Sequence, residues 1–385
     1  MKTTLTDENW LTSTASRTIM SMLNGAGYGA WFVGGCVRNA LISEPVADLD
    51  IATDAQPEIV SNLAENAGLK VIPTGIEHGT VTVICEGIPY EITTLRRDVA
   101  TDGRRATIAF AETMEEDAGR RDFTINALYA DAQGVIFDPV SGLPDLRIRR
   151  LRFIGDADMR IQEDYLRSLR FFRFYAWYGD AAAGLDPEAL AAIAANLDGL
   201  DSLSRERVGS EMLKLLNAPD PAPALCAMQQ MGVMLRILPG ADVSMLAVLV
   251  HLEETLPPNP IRRLAIIGGE DVAKKLRLSK AHARDLELLR QEMTSLTPIT
   301  ELAYRNGYEC AQNVTLLRGV LSGMPLSATA LDGLWEASNA TFPITAKDLT
   351  PRFSGKNLGD QLKALEAVWI ASNFQETKED LLSKI

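Results

Sequence analysis

The sequence predicts an α+β head followed by a long all-α arm, and three textures carry that prediction. Up to about residue 150, short β-rich runs bounded by Gly, Pro or Asp alternate with helix-like pieces. From about Ile161 onward, apolar residues recur at three-to-four spacing almost throughout. Pro and Gly clusters near 219–223, 257–260 and 323–325 cut this second region into separate helices. Mixed strands and helices followed by helices alone read as separate layers of structure. A chain of 385 residues is long enough for two or more domains.

In the head, the expected strands are Ala30–Val33, Asp48–Ala52, Lys70–Ile72, Thr80–Cys85, Tyr90–Thr94 and Val135–Phe137. Helical pieces are expected at Ser13–Asn24, Val37–Ile42, Pro57–Ala67 and Thr124–Tyr129. Glu86-Gly87-Ile88-Pro89 supplies a Gly-containing turn, so the strands on either side of it form a hairpin. In the arm, Asp164–Tyr178 carries Leu166, Leu169, Phe172 and Ala176 on one helical face. Pro187–Asn196, Ser204–Leu216, Ala222–Met231, Val243–Glu254, Pro260–Ile267, Asp271–Leu276, Lys280–Ser295 and Asp360–Ser372 continue the helical pattern.

Composition narrows the function classes. Hydrophobic residues make up 46% and charged residues 23%, which is ordinary globular usage. No stretch approaches the roughly 18 to 20 apolar residues of a membrane span, and Met1–Met20 lacks the apolar region of a secretory signal. Cys36, Cys85, Cys226 and Cys310 lie far apart, as do His78, His251 and His282. That excludes a disulfide framework, a zinc knuckle and a His-rich metal centre, and a reduced, cytoplasmic protein is expected. The net charge of −13 runs against nucleic-acid binding. Its distribution does not: residues 96–173 carry 14 basic and 14 acidic side chains, and all 14 basic ones are arginine. Arginine presents a planar fork of donors to phosphates and base edges; a surface laced with ion pairs would have the same composition.

Four constellations concentrate the chemistry. Ala30 to Asn39 reads as strand, Gly34-Gly35 turn, helix. Glycines let backbone approach a ligand closely, a helix start offers free amides to phosphates, and Arg38 sits in the first helical turn. In Ala47-Asp48-Leu49-Asp50-Ile51-Ala52, alternate strand residues share a face. Asp48 and Asp50 therefore stand together while Leu49 and Ile51 point into the core. Two adjacent carboxylates repel unless a cation lies between them, and hard oxygen donors suit Mg²⁺. The third constellation, Glu116 to Leu128, sets Arg120, Arg121 and Asp122 before a helix. The fourth, Glu163 to Phe174, repeats Asp164, Arg167, Arg170 and Arg173 every three residues on one expected helix, where neighbours in the series touch. The interleaved Tyr165, Phe171, Phe172 and Phe174 suggest that this helix is substantially buried. Taken singly, each constellation also reads as ordinary structure: a generic turn, a polar strand face, a charged capping turn, an ion-paired helix.

Taken in order, Gly-Gly-x-Val-Arg, Asp-x-Asp, Arg-Arg-Asp-Phe-Thr-x-Asn-Ala and Glu-Asp-x-x-Arg-x-x-Arg resemble the class II tRNA nucleotidyltransferase and bacterial poly(A) polymerase superfamily. Ile154-Gly155-Asp156 leading into Arg160, Ser204 to Glu211 and a tail match at Gly355–Trp369 add to the resemblance. It implies a polymerase-beta-like nucleotidyltransferase head with a mixed or antiparallel sheet at 1–150. It further implies a helical neck for base recognition at 151–216, and an elongated helical body and tail binding tRNA at 217–385. By position, Gly34, Gly35 and Arg38 would hold the triphosphate, and Asp48 and Asp50 would be the catalytic pair that binds Mg²⁺. Arg121 would contact the nucleotide and Asp122 its ribose. Asp164 and Arg167 would read the base, with Arg170 and Arg173 nearby, and Arg97–Arg105 would be a flexible segment.

The implied activity is addition of CCA to tRNA 3′ ends from CTP and ATP. A poly(A) polymerase, or an enzyme restricted to A or CC, shares the motifs, and a non-catalytic RNA-binding relative is the alternative of another class. Cytosine and adenine both present an exocyclic amine beside a ring-nitrogen acceptor, which one carboxylate and one guanidinium can read. Glu91 is the candidate for a third carboxylate, a polar strand face being the alternative. Three departures from the family pattern stand out: Asn39 where Asp is usual, Ala157 where Pro is usual, and Tyr165 where small residues are common. Arg262, Arg263, Lys274, Lys275, Arg277 and Lys280 form the densest basic group of the arm, either a tRNA contact or a solvated helix face.

Overall fold

A seven-stranded mixed sheet organises the head, in a computed structural model that describes residues 4–73, 75–101, 106–254, 256–323, 329–350 and 352–385. Its strands are β1 (Ala30–Val33), β2 (Leu49–Thr53), β3 (Lys70–Ile72), β4 (Thr80–Cys85), β5 (Ile88–Thr94), β8 (Tyr129–Ala130) and β9 (Ile136–Phe137). The spatial order is β3-β4-β5-β2-β1-β8-β9, and only β2 and β5 run parallel. The expected β4–β5 hairpin forms around Glu86 and Gly87, both at positive φ, with Cys85 opposite Ile88. Two consecutive left-handed residues give the turn whose twist matches the strands.

Helices α1 (Thr14–Gly25) and α3 (Pro57–Asn66) cover one face of the sheet, and α2 (Gly35–Leu41) follows β1 directly. Leu49, Ile51, Tyr90 and Ile92 are buried, and the Tyr90 hydroxyl lies 3.0 Å from Ser16 Oγ on α1. Alternation therefore turns the intervening Asp50 and Glu91 to the opposite face. A second apolar cluster, including Val33, Leu95, Ala118, Tyr129 and Ile154, packs around that other side.

Two head expectations differ from the structure. Thr124–Tyr129 is not a helix: one 3₁₀ turn at Thr124–Asn126 is followed by β8, which pairs Tyr129 with Val33 and Ala130 with Phe32. A run of six residues is too short to carry a period that separates helix from strand. A hairpin of β6 (Arg96–Thr101) and β7 (Ala106–Phe110) stands outside the main sheet and had no strand signal, its first strand being half charged. It occupies the segment expected to be flexible, of which 102–105, with Asp102-Gly103-Arg104, lie outside the described residues.

Helices α4 (Met114–Gly119), α5 (Ala157–Glu163), α6 (Leu166–Tyr178), α7 (Pro187–Ala195) and α8 (Arg205–Leu216) continue the chain. The expected single helix from Asp164 is broken: Asp164 is extended at φ −156°, between α5 and α6. Helix α6 is buried as its aromatics suggested, with Phe171 against Phe153 and Phe174 against Phe123. Tyr165 packs on Gly199, where a Cβ would fall 2.1 Å from its ring, so its bulk turns away from the site. Ala157 is the first residue of α5, behind the Asp156 cap, the position where proline and alanine are both tolerated.

The chain divides into two compact units, Met1–Leu215 with Pro223–Ile237, and Leu216–Ala222 with Leu238–Ile385. In the second, α9 (Leu246–Glu253), α10 (Pro260–Ile267), α11 (Lys280–Glu292), α12 (Ile299–Asn306) and α13 (Tyr308–Ser322) pack together. The tail helix α14 (Gly355–Ala371) builds its own core from Leu365, Trp369 and Ile370 with Leu349 and Leu381. Arg262 and Arg263 are not surface groups. They are 2% and 1% exposed, both bind Glu253, and Arg263 also donates to the carbonyls of Leu216, Ala218 and Pro219. Of that basic group, Lys274, Arg277 and Lys280 are exposed. No helix among the described residues is long and apolar enough to cross a membrane.

Candidate active site

The open face of the sheet carries the carboxylates. In the parallel β2–β5 register Asp50 lies directly opposite Glu91, so the two side chains share one face. Asp48 sits one residue before β2, exposed, and reaches the same cleft. Burial pushes the Asp50 carboxyl up to about 6, and the nearby charges of Glu91 and Asp48 push in the same direction, against Arg121. Such crowding is relieved by a cation.

At the end of β1, Gly34 turns the chain into α2 at φ 75° and ψ −120°, a conformation open essentially to glycine alone. A Cβ there would stand 3.6 Å from the Asn126 carbonyl and 3.7 Å from Arg121 Nη1. Arg38 points from α2 into the cleft. Its Nε and Nη2 donate to Asn39 Oδ1 at 3.1 and 2.9 Å, its Nη2 also to the Tyr178 hydroxyl at 2.8 Å, and its Nη1 to Asn126 Oδ1. The guanidinium carbon lies 3.9 Å from the centre of the Tyr178 ring.

Arg121 is held by Asp117, 3.0 Å from Nη2, and by the Tyr129 hydroxyl. Asp117 also takes Arg120 and the Tyr129 O–H. Asp122 is nearly buried; it accepts from Phe123 N and Asn126 Nδ2 through Oδ1 and from Arg170 Nε at 2.7 Å through Oδ2. Burial would raise its pKa, and the charge of Arg170 with the Asn126 hydrogen bond reverses that. The expected ribose contact is thus already committed to an ion pair, and any sugar hydroxyl must share it.

The three-residue ladder of Asp164, Arg167, Arg170 and Arg173 does not pair within itself. Asp164 Oδ2 accepts from Arg207 Nη2 at 2.6 Å, and Arg167 binds Glu163 and the Arg160 carbonyl. Arg170 binds Asp122, and Arg173 Nε donates to Glu211 at 2.5 Å. Asp164 and Arg167 face one cleft from a helix junction and a helix start, not from one helix. In the sequence Arg207 and Glu211 belong to a motif that carries no role of its own. Tyr178, Asn126 and Asp117 had no assigned role either, because their work is to hold other side chains.

One cleft of about 900 Å³ gathers these groups. Gly34, Gly35, Arg38, Asp48, Asp50, Arg121, Asp122, Asp164, Arg167, Arg170 and Arg173 all line it, so every expected site residue comes together, with Glu91 added. Nine basic side chains face five acidic ones there, a positive cleft in an acidic chain. Among the described residues no group of three or more His, Cys, Asp or Glu could hold a metal ion by itself. The donor set still fits Mg²⁺, which takes one or two carboxylates and completes its shell with water and phosphate. An anionic ligand fits the arginines, and a base edge fits Asp164 with Arg167.

Comparison with known proteins agrees with this geometry. The Poly A polymerase head domain family matches residues 30–152, and the family described as the probable RNA and SrmB- binding site of polymerase A matches 184–245. The mitochondrial CCA tRNA nucleotidyltransferase 1 of Danio rerio is 33% identical over 91% of this chain and 86% of its own length. The CCA-adding enzyme of Geobacillus stearothermophilus is 32% identical over 92% and 91%. The crystal structure of the Bacillus stearothermophilus CCA-adding enzyme in complex with CTP superposes with a TM-score of 0.76 at 27% identity, covering 96% of each chain. Likeness of this extent, running through the head and the helical arm alike, makes the chain a member of the CCA-adding tRNA nucleotidyltransferase family of enzymes.

Proposed function

We propose that the chain adds C, C and A to the 3′ end of tRNA from CTP and ATP, using Mg²⁺ and releasing pyrophosphate. The observation that carries this reading is the single cleft that unites the Asp48/Asp50 pair, the Gly34-Gly35 turn and the Asp164/Arg167 pair. In the reaction the 3′-oxygen of the RNA bonds to the α-phosphorus. The bond from that phosphorus to the β-phosphate oxygen breaks, and pyrophosphate departs. Asp48 and Asp50 would hold Mg²⁺, whose Lewis acidity favours ionisation of the attacking hydroxyl and offsets charge on the leaving group. Arg38 beside Gly34 and Gly35 would grip the triphosphate, and Arg121 the nucleotide. Most catalysis of phosphoryl-type transfer is such positioning and charge stabilisation.

Asp164 would accept from the exocyclic amine of cytosine or adenine, and Arg167 would donate to the ring nitrogen. Uracil and guanine present a carbonyl beside a protonated nitrogen, so both contacts become repulsive or unpaired. Two mismatches of about 1–3 kcal/mol each give discrimination on the order of 10² to 10⁴. In this reading 1–150 is the catalytic head, 151–216 the base-reading neck, and 217–385 the tRNA-binding body and tail. All four cysteines are unpaired, which suits a reducing compartment such as the cytoplasm.

The test is incubation of the purified protein with tRNA lacking its end and each labelled triphosphate singly and together, with Mg²⁺ supplied or chelated. CC addition from CTP, completed by A when ATP is present, is the expected pattern. Repeated A addition points to a poly(A) polymerase, and Asp48→Ala activity within about tenfold of wild type, roughly 1.4 kcal/mol of barrier, removes the metal pair.

A further inference from the structure

Six arginines of the cleft rest on carboxylates. Arg120 and Arg121 bind Asp117, Arg167 binds Glu163, Arg170 binds Asp122, Arg173 binds Glu211 and Arg207 binds Asp164. Arg38 differs. It is only 5% exposed, and the three side chains it donates to, Asn39, Tyr178 and Asn126, are all neutral. Asn126 stands between Arg38 and the closest carboxylate in its network: its Oδ1 takes Arg38 Nη1 while its Nδ2 donates to Asp122 Oδ1 at 3.0 Å. Asp122 is itself paired with Arg170.

Asn39 sits where a counter-ion would be expected. Its Oδ1 takes two donors along one edge of the guanidinium, the place a carboxylate would occupy as a fork. Its Nδ2 donates to the Pro45 carbonyl at 2.8 Å. That second bond makes the position one for an amide: a carboxylate would set an oxygen against the Pro45 oxygen. Arg38 is therefore oriented on every side without being neutralised. A buried guanidinium without a counter-charge is stabilised by any anion that reaches it, and burial does lower its pKa. The cleft beside Gly34 and Gly35 is the open approach.

We infer that Asn39 sets the strength of the polyphosphate grip, by holding Arg38 in place while leaving its charge for the ligand. Asn39 is a positioning residue, and the inference rests on the reading of the cleft as a nucleotide site. The chemistry recognised is the polyphosphate chain, which CTP and ATP share, so the effect is blind to the base. Discrimination stays with Asp164 and Arg167.

The experiment uses the full chain, a tRNA primer lacking its end, CTP and ATP, and inorganic tripolyphosphate as a probe with neither base nor sugar. Asn39→Asp supplies the missing counter-charge. It should raise KM for CTP and ATP by the same factor of about tenfold, weaken tripolyphosphate inhibition equally, and leave kcat and the CTP-to-UTP ratio within about twofold. Asn39→Ala adds no charge and should raise KM by no more than about threefold. KM and inhibition unchanged in Asn39→Asp, or equal losses in the two variants, overturns the inference. Should Asn39→Asp fail to fold, the rise in melting temperature that tripolyphosphate gives the wild type should vanish in Arg38→Gln, and its persistence overturns the inference as well. A wild type that is neither inhibited nor stabilised by tripolyphosphate and incorporates no nucleotide defeats the reading of the cleft itself, and this inference with it. An active, inhibited wild type with an unaffected Asn39→Asp defeats the inference alone.

Discussion

Asp117→Asn is the sharpest test of how the site is held together. The Asp117 carboxylate is 1% exposed and serves two arginines at once: Arg120 at 2.8 Å, and Arg121 at 3.0 and 3.2 Å. The Tyr129 hydroxyl donates to it at 2.7 Å and the Arg96 amide at 3.3 Å. The amide variant keeps the shape, removes the charge, and turns an N–H₂ toward groups that are themselves donors. Removing one partner of a buried ion pair costs about 3–5 kcal/mol, and the partial exposure of both guanidiniums places this case near the lower end, about 3 kcal/mol. Linkage gives an independent figure. Burial would raise the Asp117 pKa, but Arg121, Arg120 and Tyr129 outweigh it and take the group from 3.8 down to about 2. That difference is worth about 2 kcal/mol.

The sign follows from the direction. A carboxyl whose folded pKa is depressed binds its proton more readily in the unfolded chain, so its contribution is fully present above about pH 4 and is lost as pH falls through about 2. Chemical denaturation of wild type and Asp117→Asn at pH 7, 5, 4 and 3 should show a gap of about 2–3 kcal/mol at pH 7 that has narrowed by roughly half at pH 3. Nucleotide KM should rise as well, because Arg121 loses the anchor that sets it beside Gly34. A gap below about 0.5 kcal/mol at pH 7, or one constant with pH, refutes the reasoning.

Glu253→Gln should destabilise the second unit by about 3–5 kcal/mol in chemical denaturation, since Glu253 is 3% exposed and is the carboxylate shared by Arg262 and Arg263; a loss under about 1 kcal/mol would show that the pair is replaceable. Asp164→Ala and Arg167→Ala should each lower the ratio of CTP to UTP incorporation roughly tenfold or more, the cost of one buried mismatch of about 1–3 kcal/mol. An unchanged ratio at normal rates would leave Arg121 and Asp122 as the principal nucleotide contacts.

What the sequence makes legible here is what depends on near neighbours. The strands Ala30–Val33, Lys70–Ile72 and Thr80–Cys85 match residue for residue, because alternation and turn residues are local signals. Asp48 and Asp50 open into the cleft because Leu49 and Ile51 alternate with them and are buried. Many of the motif residues fall in one cleft because they lie near strand ends or helix starts, where a chain presents side chains to a common edge, while Arg170 and Arg173 reach it from within α6. Counter-ions are another matter. Arg170 finds Asp122 across 48 residues, Asp164 finds Arg207 across 43, and Arg173 finds Glu211 across 38. A three-residue repeat of charge promises contacts along the helix, but tertiary partners took Asp164, Arg170 and Arg173, and only Arg167 pairs locally, with Glu163 four residues before it. Arg262 and Arg263 illustrate the same limit: a dense basic run reads as a tRNA contact or a solvated face until Glu253 and three carbonyls are brought to it.

That pattern bears on how so acidic a chain meets a polyanion. Net charge acts through the long-range field, which physiological salt screens within about 8 Å. A nucleotide bound in the cleft, as proposed, would meet the local set, where basic side chains exceed acidic ones by nine to five. Most of those arginines are already paired, so their task in the empty protein is to be aimed. A paired guanidinium keeps free N–H donors and a fixed direction, while its carboxylate limits the cost of burying it. Arg38 takes the opposite course, with its direction set by two amides and a phenol and its charge left open. Orientation and charge are thereby divided among different residues: six carboxylate-bound arginines are aimed into the cleft, and Arg38, bound by neutral groups beside Gly34 and Gly35, would supply the uncompensated attraction. On the proposed assignment of the base to Asp164 and Arg167, this division would let binding strength change at Asn39 without changing which base is accepted.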